Sequence, residues 1–287
     1  MKVKLPCEIR DAFPARPVDA YKRSVGVVAV VGGSAKFPHA PVISALGARS
    51  AGAGLVQLVA PDTSRAAAGA LVPEATMSKL GPTCVPPSAD VCVVGMGLGV
   101  SASSEALVTR LLSGAKGRFV VDADALTILA SWYGKRGGCQ PSAGLELVFT
   151  PHEGEAARLL GCDFAGVHAD REAAAREIAS RYCATVVLKG PETLVVSHDV
   201  VHVFRNTTGN PFMALGGMGD LLSGVIGARW AYLKGDPFVA ASSAAWLHGA
   251  ASDALVAECG DPSVSGTAAR IGSLRVALES GLAAHVA

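Results

Sequence analysis

Short β-branched runs recur along the chain between Ala-rich amphipathic stretches: Val25 to Val31, Leu55 to Val59, Val91 to Val94, Arg118 to Val121, Leu145 to Phe149 and Thr185 to Lys189. Several are apolar at every position rather than alternating, which suits strands buried on both faces. Alternation of such strands with helices predicts an α/β fold: a central, mostly parallel β-sheet flanked by helices on both faces. Leu194 to Val196 and Val200 to Phe204 flank Ser197-His198-Asp199 and predict a short hairpin that interrupts the rhythm. Three helices then close the chain. The first follows Asp220, with Leu221, Leu222, Val225, Ile226, Trp230 and Leu233 at helical spacing; the second opens on Asp236-Pro237, and the third runs from about Thr267 to Leu278. No internal repeat, linker or low-complexity tract appears, so one domain is expected over residues 1–287, with 1–18 as an N-terminal extension.

In a sheet of this kind ligands bind at the carboxyl ends of the strands. The residues that follow the apolar runs are Gly32-Gly33-Ser34, Pro61-Asp62, Gly95-Met96-Gly97-Leu98-Gly99, Asp122-Ala123-Asp124, Thr150-Pro151-His152-Glu153 and Gly190. Polar and glycine-rich groups therefore gather where the fold class places a site.

Composition narrows what that site binds. Half of the 287 residues are apolar, enough for an extensive core, and Lys plus Arg number 25 against 24 for Asp plus Glu. With no basic run interleaved with aromatics, neither a nucleic-acid nor an acidic-lipid partner is indicated, and a small-molecule ligand fits better. The apolar stretches break far short of a bilayer span, and Met1 to Asp19 contains no apolar signal core, so a soluble, cytoplasmic protein is expected. The seven cysteines are scattered and never spaced Cys-x-x-Cys, which indicates reduced thiols rather than a disulfide framework or zinc site.

The segment Asn206 to Asp220 ends in Gly216-Gly217-Met218-Gly219-Asp220 at the mouth of a helix. Glycines there let backbone N–H groups converge, and the helix terminus adds partial positive charge, so the loop suits phosphate oxygens. Asp220 would repel a phosphate; it either takes a proton from a hydroxyl that attacks the phosphate or caps the helix. Thr150-Pro151-His152-Glu153-Gly154-Glu155 opens another helix, with Thr150 and Glu153 at capping-box spacing, Pro151 at the first helical position and Gly161 past the end. That leaves His152 and Glu155 unassigned, and His152 at a strand's carboxyl end is placed to hydrogen-bond a ligand. Lys189 must send its ammonium to solvent or to an anion, and Gly190 and Thr193 could complete a nucleotide cradle. Gly95-x-Gly97-x-Gly99 imitates a dinucleotide fingerprint but lacks the third glycine at the required spacing. Asp122 or Asp124 could hold a hydrated magnesium ion or cap the next helix.

Taken in chain order, these motifs resemble those of the ADP-dependent NAD(P)H-hydrate dehydratases, a branch of the ribokinase-like superfamily. The likeness rests on Gly32-Gly33-Ser34 followed by Ala40-Pro41, Arg49-Ser50-Ala51-Gly52-Ala53-Gly54, Gly95 to Gly99, Val120-Val121-Asp122-Ala123-Asp124, Thr150 to Glu155, Leu188-Lys189-Gly190, and Thr208-Gly209-Asn210-Pro211 through Asp220. It implies a lyase that phosphorylates the 6-hydroxyl of NADHX or NADPHX and eliminates phosphate to restore NAD(P)H. By the same resemblance Ala40, Gly97, His152 and Asp220 contact the hydrated dinucleotide, with Asp220 at the reacting end. Lys189, Gly190, Pro191, Glu192, Thr193, Gly216, Gly217 and Gly219 line the nucleotide. ADP, or ATP, is the implied phosphoryl donor, with Mg²⁺; the protein is expected to be a homo-oligomer, and a separate epimerase is expected in the same cell.

The sequence departs from the family at several positions. Met218 stands where a small hydroxyl residue is usual, Phe212 and Leu215 where Gly and Thr are common, His39 where Gly is frequent and Phe37 in place of a usual tyrosine. Two other readings use the same residues: a ribokinase-like kinase acting on a vitamin precursor, and a non-catalytic nucleotide sensor in which Met218 marks a decayed site.

Overall fold

The computed structural model describes residues 2–81, 88–113, 116–134, 144–259, 263–281 and 284–285. The elements in chain order are β1 (Lys2–Val3), β2 (Val27–Val31), α1 (Ala40–Ser50), β3 (Leu55–Ala60), α2 (Asp62–Leu71), β4 (Thr76–Lys79), β5 (Val91–Val94), α3 (Ala102–Ser113), β6 (Gly117–Val121), α4 (Asp124–Gly134) and β7 (Leu145–Phe149). There follow α5 (Glu153–Leu160), α6 (Phe164–Ala169), α7 (Arg171–Tyr182), β8 (Thr185–Leu188), β9 (Leu194–Val196), β10 (Val203–Arg205), α8 (Met218–Leu233), α9 (Pro237–Cys259), α10 (Val264–Glu279) and β11 (Ala284–His285). β1 and β11 form a separate parallel pair.

Among the described residues nine strands make the central sheet, in the order β10-β9-β8-β7-β6-β5-β2-β3-β4. Every neighbouring pair from β8 to β4 is parallel, and the expected hairpin supplies the antiparallel edge of β9 and β10. From β2 the chain first builds outward through β3 and β4, then returns to place β5 on the other side of β2. A crevice opens at the carboxyl ends of strands where order reverses in this way. Gly32-Gly33 and Gly95 to Gly99 sit there.

The inner strands of the sheet are buried on both faces, as their apolar runs require. Val28 and Val30 of β2 belong to a core shared with α1, α8, α9 and α10, whereas Ala29 and Val31 belong to a second core under α3, α4, α5 and α7. Leu5, Ile9, Ala12 and Phe13 from the N-terminal extension also pack into the first core. Asp236 caps α9 by accepting from the Phe238 amide at 2.8 Å, with Pro237 at the first helical position as the sequence predicts.

Several boundaries differ from the sequence reading. β2 begins at Val27 because Gly26 takes a φ of 109°, and a Cβ there would lie 2.7 Å from that of Ala231. β4 was not expected: its residues Thr-Met-Ser-Lys form a largely exposed edge strand that carries no apolar run. α8 begins at Met218, two residues before Asp220. It crosses α1 at near backbone contact. A Cβ on Gly224 would stand 1.8 Å from the Ser44 carbonyl oxygen, and one on Gly47 would stand 2.2 Å from that of Leu221.

Candidate active site

β6 passes directly into Asp122, whose side chain is 1% exposed. Both of its oxygens are engaged. Oδ1 accepts from the Ala123 amide at 2.9 Å and from Lys189 Nζ at 2.8 Å, while Oδ2 accepts from the Ser223 hydroxyl of α8. Asp122 is therefore neither the cap of α4 nor free for a cation. The Gly99 amide, 2.8 Å away, similarly occupies Asp124 Oδ2. No three His, Cys, Asp or Glu side chains converge as a metal site among the described residues. These donors do not make a cation cage of the protein's own.

Lys189 follows β8 and is drawn toward β7, its amide donating to the Pro151 carbonyl at 2.8 Å. Its ammonium does not snorkel: the side chain is 18% exposed and points inward, with Glu155 Oε2 at 3.9 Å beyond Asp122. Burial opposes its charge, but the carboxylates of Asp122, Glu155 and Asp220 outweigh burial and hold its pKa above the usual lysine value. Burial pushes Glu155 the other way for a carboxyl, upward; Lys189 offsets part of this and the charge of Asp122 adds to it.

The helix after β7 starts two residues later than the Thr150/Glu153 spacing predicts. Thr150 is fully buried and its hydroxyl donates to the Val121 carbonyl at 3.3 Å, so it is spent on the sheet. His152 is the cap instead. Its Nδ1 accepts from the amides of Gly154 and Glu155 at 3.0 and 3.3 Å, and Glu155 Oε2 accepts from the His152 amide at 2.9 Å. Gly161 closes the helix with a left-handed φ of 71°, as expected. Glu153, released from capping, pairs with Arg171 at 3.0 Å and with His168 at 3.0 Å.

At the opposite wall Gly217 leads into α8 with a φ of 96°, and Asp220 is the helix's third residue. The capping alternative for Asp220 is not realised. Its carboxylate makes no hydrogen bond or ion pair among the described residues. Burial, followed by repulsion from Asp122, raises its pKa to about 7, with Lys189 opposing and Glu155 and Asp124 adding. Gly219 abuts the ammonium: a Cβ there would lie 3.3 Å from Lys189 Nζ. Gly216 faces open space, and a Cβ on Gly217 would meet Ile43 Cδ1 of α1 at 2.8 Å. The Met218 side chain is buried in the core and leaves only its backbone to the loop. Phe212 and Leu215 stand exposed just upstream.

Ala40 opens α1 and Gly97 follows β5 with a φ of 66°; a Cβ on Gly97 would be 3.0 Å from that of Ala40 and 2.8 Å from that of Phe37. Gly190, Pro191, Glu192 and Thr193 form the turn after Lys189, with φ of 149° at Gly190 and 51° at Glu192, and the Thr193 hydroxyl donates to the Gly190 carbonyl at 3.1 Å. Sequence reasoning missed the group that holds this turn. Arg171 donates to the carbonyls of Pro191 (2.6 Å), Glu192, Leu188 and Lys189 (each 3.3 Å). It also missed Ser223, three residues beyond Asp220. The Asn206 to Asn210 loop is fastened to α9, the Gly209 amide and the Asn210 side chain each donating to Asp253 at 2.8 Å.

Lys189, Gly219 and Asp220 thus meet beside Asp122 and Glu155, with the Ala40/Gly97 contact joined to them through Ile43 and Gly217. The sequence profile of the NAD(P)H-hydrate dehydratases matches residues 28–271. The chain belongs to that family. It is 41% identical over 254 residues to the ADP-dependent (S)-NAD(P)H-hydrate dehydratase of Neisseria meningitidis serogroup B, covering 86% of this chain and 83% of that one. The bifunctional NAD(P)H-hydrate repair enzyme of Escherichia coli is 36% identical over 251 residues, covering 86% of this chain but 46% of its own length, so this dehydratase-family chain spans about half of that relative. Among solved structures, the ADP/ATP-dependent NAD(P)H-hydrate dehydratase from Bacillus subtilis, co-crystallized with ATP/Mg²⁺, superposes with a TM-score of 0.84 at 26% identity, covering 97% of this chain and all of that one. A ribokinase-like superfamily protein from Enterococcus faecalis superposes at 0.80 with 24% identity, covering 94% of each chain, so the two share a fold.

Proposed function

We propose that this chain dehydrates NADHX and NADPHX to NADH and NADPH at the expense of ADP. The observation that carries this reading is the placement of Asp220, a carboxylate with no hydrogen-bond or ion-pair partner among the described residues, at the mouth of a glycine-led helix whose Gly219 abuts the Lys189 ammonium; burial and the neighbouring carboxylates raise its pKa to about 7. A general base works best when its pKa lies near the working pH.

Hydroxide leaves carbon poorly and phosphate leaves well. Asp220 accepts the proton of the 6-hydroxyl as its oxygen attacks the β-phosphorus of ADP, and AMP departs. The backbone N–H groups of Gly216 to Gly219 stabilise the developing negative charge. The ring-nitrogen lone pair then expels phosphate, and loss of the C5 proton restores the dihydropyridine. Ala40, Gly97 and His152 hold the dinucleotide, and Lys189, Gly190, Pro191, Glu192, Thr193, Gly216, Gly217 and Gly219 the nucleotide. Mg²⁺ would neutralise charge on the transferring phosphate, and among the described residues no cluster of three His, Cys, Asp or Glu side chains stands to cage it. We further take the chain as one domain, cytoplasmic and homo-oligomeric, working beside a separate epimerase; no helix of the described residues is long and apolar enough to cross a membrane.

The test is incubation with chemically prepared NADHX or NADPHX, Mg²⁺ and either ADP or ATP. Recovery of reduced-nicotinamide absorbance with release of phosphate is expected. A phosphorylated product without that recovery would make the protein a kinase, and tight nucleotide binding without turnover would make it a sensor.

A further inference from the structure

Asp122 bonds the Lys189 ammonium and, through Ser223, the helix that carries Asp220, and it touches neither bound molecule in the scheme above. We propose that Asp122 is a positioning residue: by holding the Lys189 ammonium at 2.8 Å and the Ser223 hydroxyl of α8, it keeps Lys189 from closing on Asp220 and leaves Asp220 free to act as a base. The inference rests on the reading of Asp220 as the base.

The competition for Lys189 has an electrostatic reason. Asp122 is the more deeply buried carboxylate and already accepts from Ala123, so its charge is held by three donors once the ammonium and Ser223 are counted. A buried charge is tolerated only when it is satisfied in this way. Among the described residues Asp220 has no such donors. Were it paired with Lys189, its proton affinity would fall by the amount an adjacent opposite charge imposes, roughly 1–3 pH units, and it would be a poor base near neutrality. Ser223 also donates to the Gly219 carbonyl at 3.1 Å, one helical turn back, so the bond to Asp122 fixes the first turn of α8, with Asp220 in it, against β6. The charged groups that act on Asp220 are Asp122 after β6, Asp124 at the start of α4, Glu155 in α5 and Lys189 after β8. Of these only Asp122 bonds Lys189 and α8 at once.

The experiment is carbon-13 NMR of aspartate-labelled full-length protein, with the Asp220 carboxyl resonance assigned by its loss in Asp220→Asn. Wild type should titrate near pH 7. In Asp122→Asn, which removes the repelling charge and frees the ammonium, the resonance should titrate lower by about one unit or more. Asp122→Glu, which keeps the charge, should restore the wild-type value. Lys189→Gln, which keeps a donor for Asp122 but removes the positive charge, should move the resonance the opposite way. If Asp122→Asn does not fold, Ser223→Ala, which keeps every charge but cuts the bond from Asp122 to α8, decides in its place: the Asp220 resonance should titrate lower as Lys189 and Asp220 are no longer held apart. An Asp220 resonance unmoved in whichever variant folds, or one that titrates near 4 in wild type, overturns the proposal. The acidic limb of the kcat/KM profile should follow the resonance, since a base works only above its pKa. Should the resonance move while the limb does not, positioning by Asp122 stands and the base assignment falls.

Discussion

His152 and Glu155 cap each other across the first turn of α5, imidazole Nδ1 accepting from the Glu155 amide and the Glu155 carboxylate accepting from the His152 amide. Because Nδ1 is an acceptor, the neutral ring carries its proton on Nε2, which lies 3.5 Å from Glu155 Oε1 on a ring exposed enough for a ligand to reach. His152→Asn retains a side-chain acceptor suited to the cap, so its melting temperature should stay near that of wild type, whereas His152→Ala should lose about 1 kcal/mol. Both should raise KM for the hydrate by roughly tenfold, the scale of one hydrogen bond. Parallel thermal melts and steady-state kinetics separate the two roles. If only the Ala variant shows a raised KM, the histidine is a cap and nothing more.

Asp220 predicts opposite effects on activity and stability. Its pKa in the folded chain is about 7 against an ordinary value of 3.8, so between those limits the folded state keeps a proton that the unfolded state has lost. The stability from that proton is full below about pH 4 and is lost as the pH rises to about 7. Asp220→Asn is neutral throughout. It should melt several degrees above wild type at pH 8, at nearly the same temperature at pH 4, and show kcat lowered by about 10² or more with ADP affinity retained. Wild-type kcat in this variant, with chemistry shown to be rate-limiting, would remove Asp220 from the mechanism.

The sequence discloses those parts of this site that are local. Val27–Val31 and Val91–Val94 read as strands because burial on both faces leaves no polar position to confuse the pattern, while Thr76–Lys79, an exposed edge strand, carries no such signature. The run Gly216 to Asp220 reads as a glycine-rich helix entrance with an odd carboxylate because its five residues are contiguous, and the helix does start there, at Met218. Lys189 and Asp122 are 67 positions apart, and no spacing rule pairs them. The start of α5 is misread for a related reason: Thr150 has the composition of a cap, but its hydroxyl reaches the carbonyl of Val121 in another strand, 29 positions away. Tertiary contacts overrode the local preference at both places.

Arg171 gives a prediction about nucleotide affinity. Its guanidinium ties four consecutive-turn carbonyls from Leu188 to Glu192 and pairs with Glu153 beside the His152 cap. A lysine there keeps the charge but loses the planar fork. Arg171→Lys should therefore weaken ADP binding by about 1 to 3 kcal/mol, the cost of leaving such acceptors unmade, with a smaller effect on KM for the hydrate. Calorimetry with ADP checks the first figure. Equal losses for both ligands would mean that Arg171 supports the fold at large rather than the turn after Lys189.

Gly224 ties the position of Asp220 to the packing of one helix pair. At the crossing of α8 on α1, a Cβ on Gly224 would stand 1.8 Å from the Ser44 carbonyl oxygen and 2.8 Å from the Ala48 amide nitrogen. Both are backbone atoms, so no side-chain rotation relieves the clash and the helices must separate. Overpacking of this kind costs typically 1–3 kcal/mol and at a backbone contact more, despite the favourable helix propensity of alanine. Because Asp220 lies four residues earlier in the same helix, separation also shifts its carboxylate from the position the reaction uses. Gly224→Ala should lower the melting temperature by several degrees and lower kcat in the fraction that remains folded. Gly235→Ala is the control: the nearest atom to a Cβ there is the Leu233 carbonyl oxygen at 3.7 Å, ordinary contact, and it should leave kcat unchanged. A Gly224→Ala protein that melts and turns over like wild type would show that α1 and α8 do not pack at backbone distance.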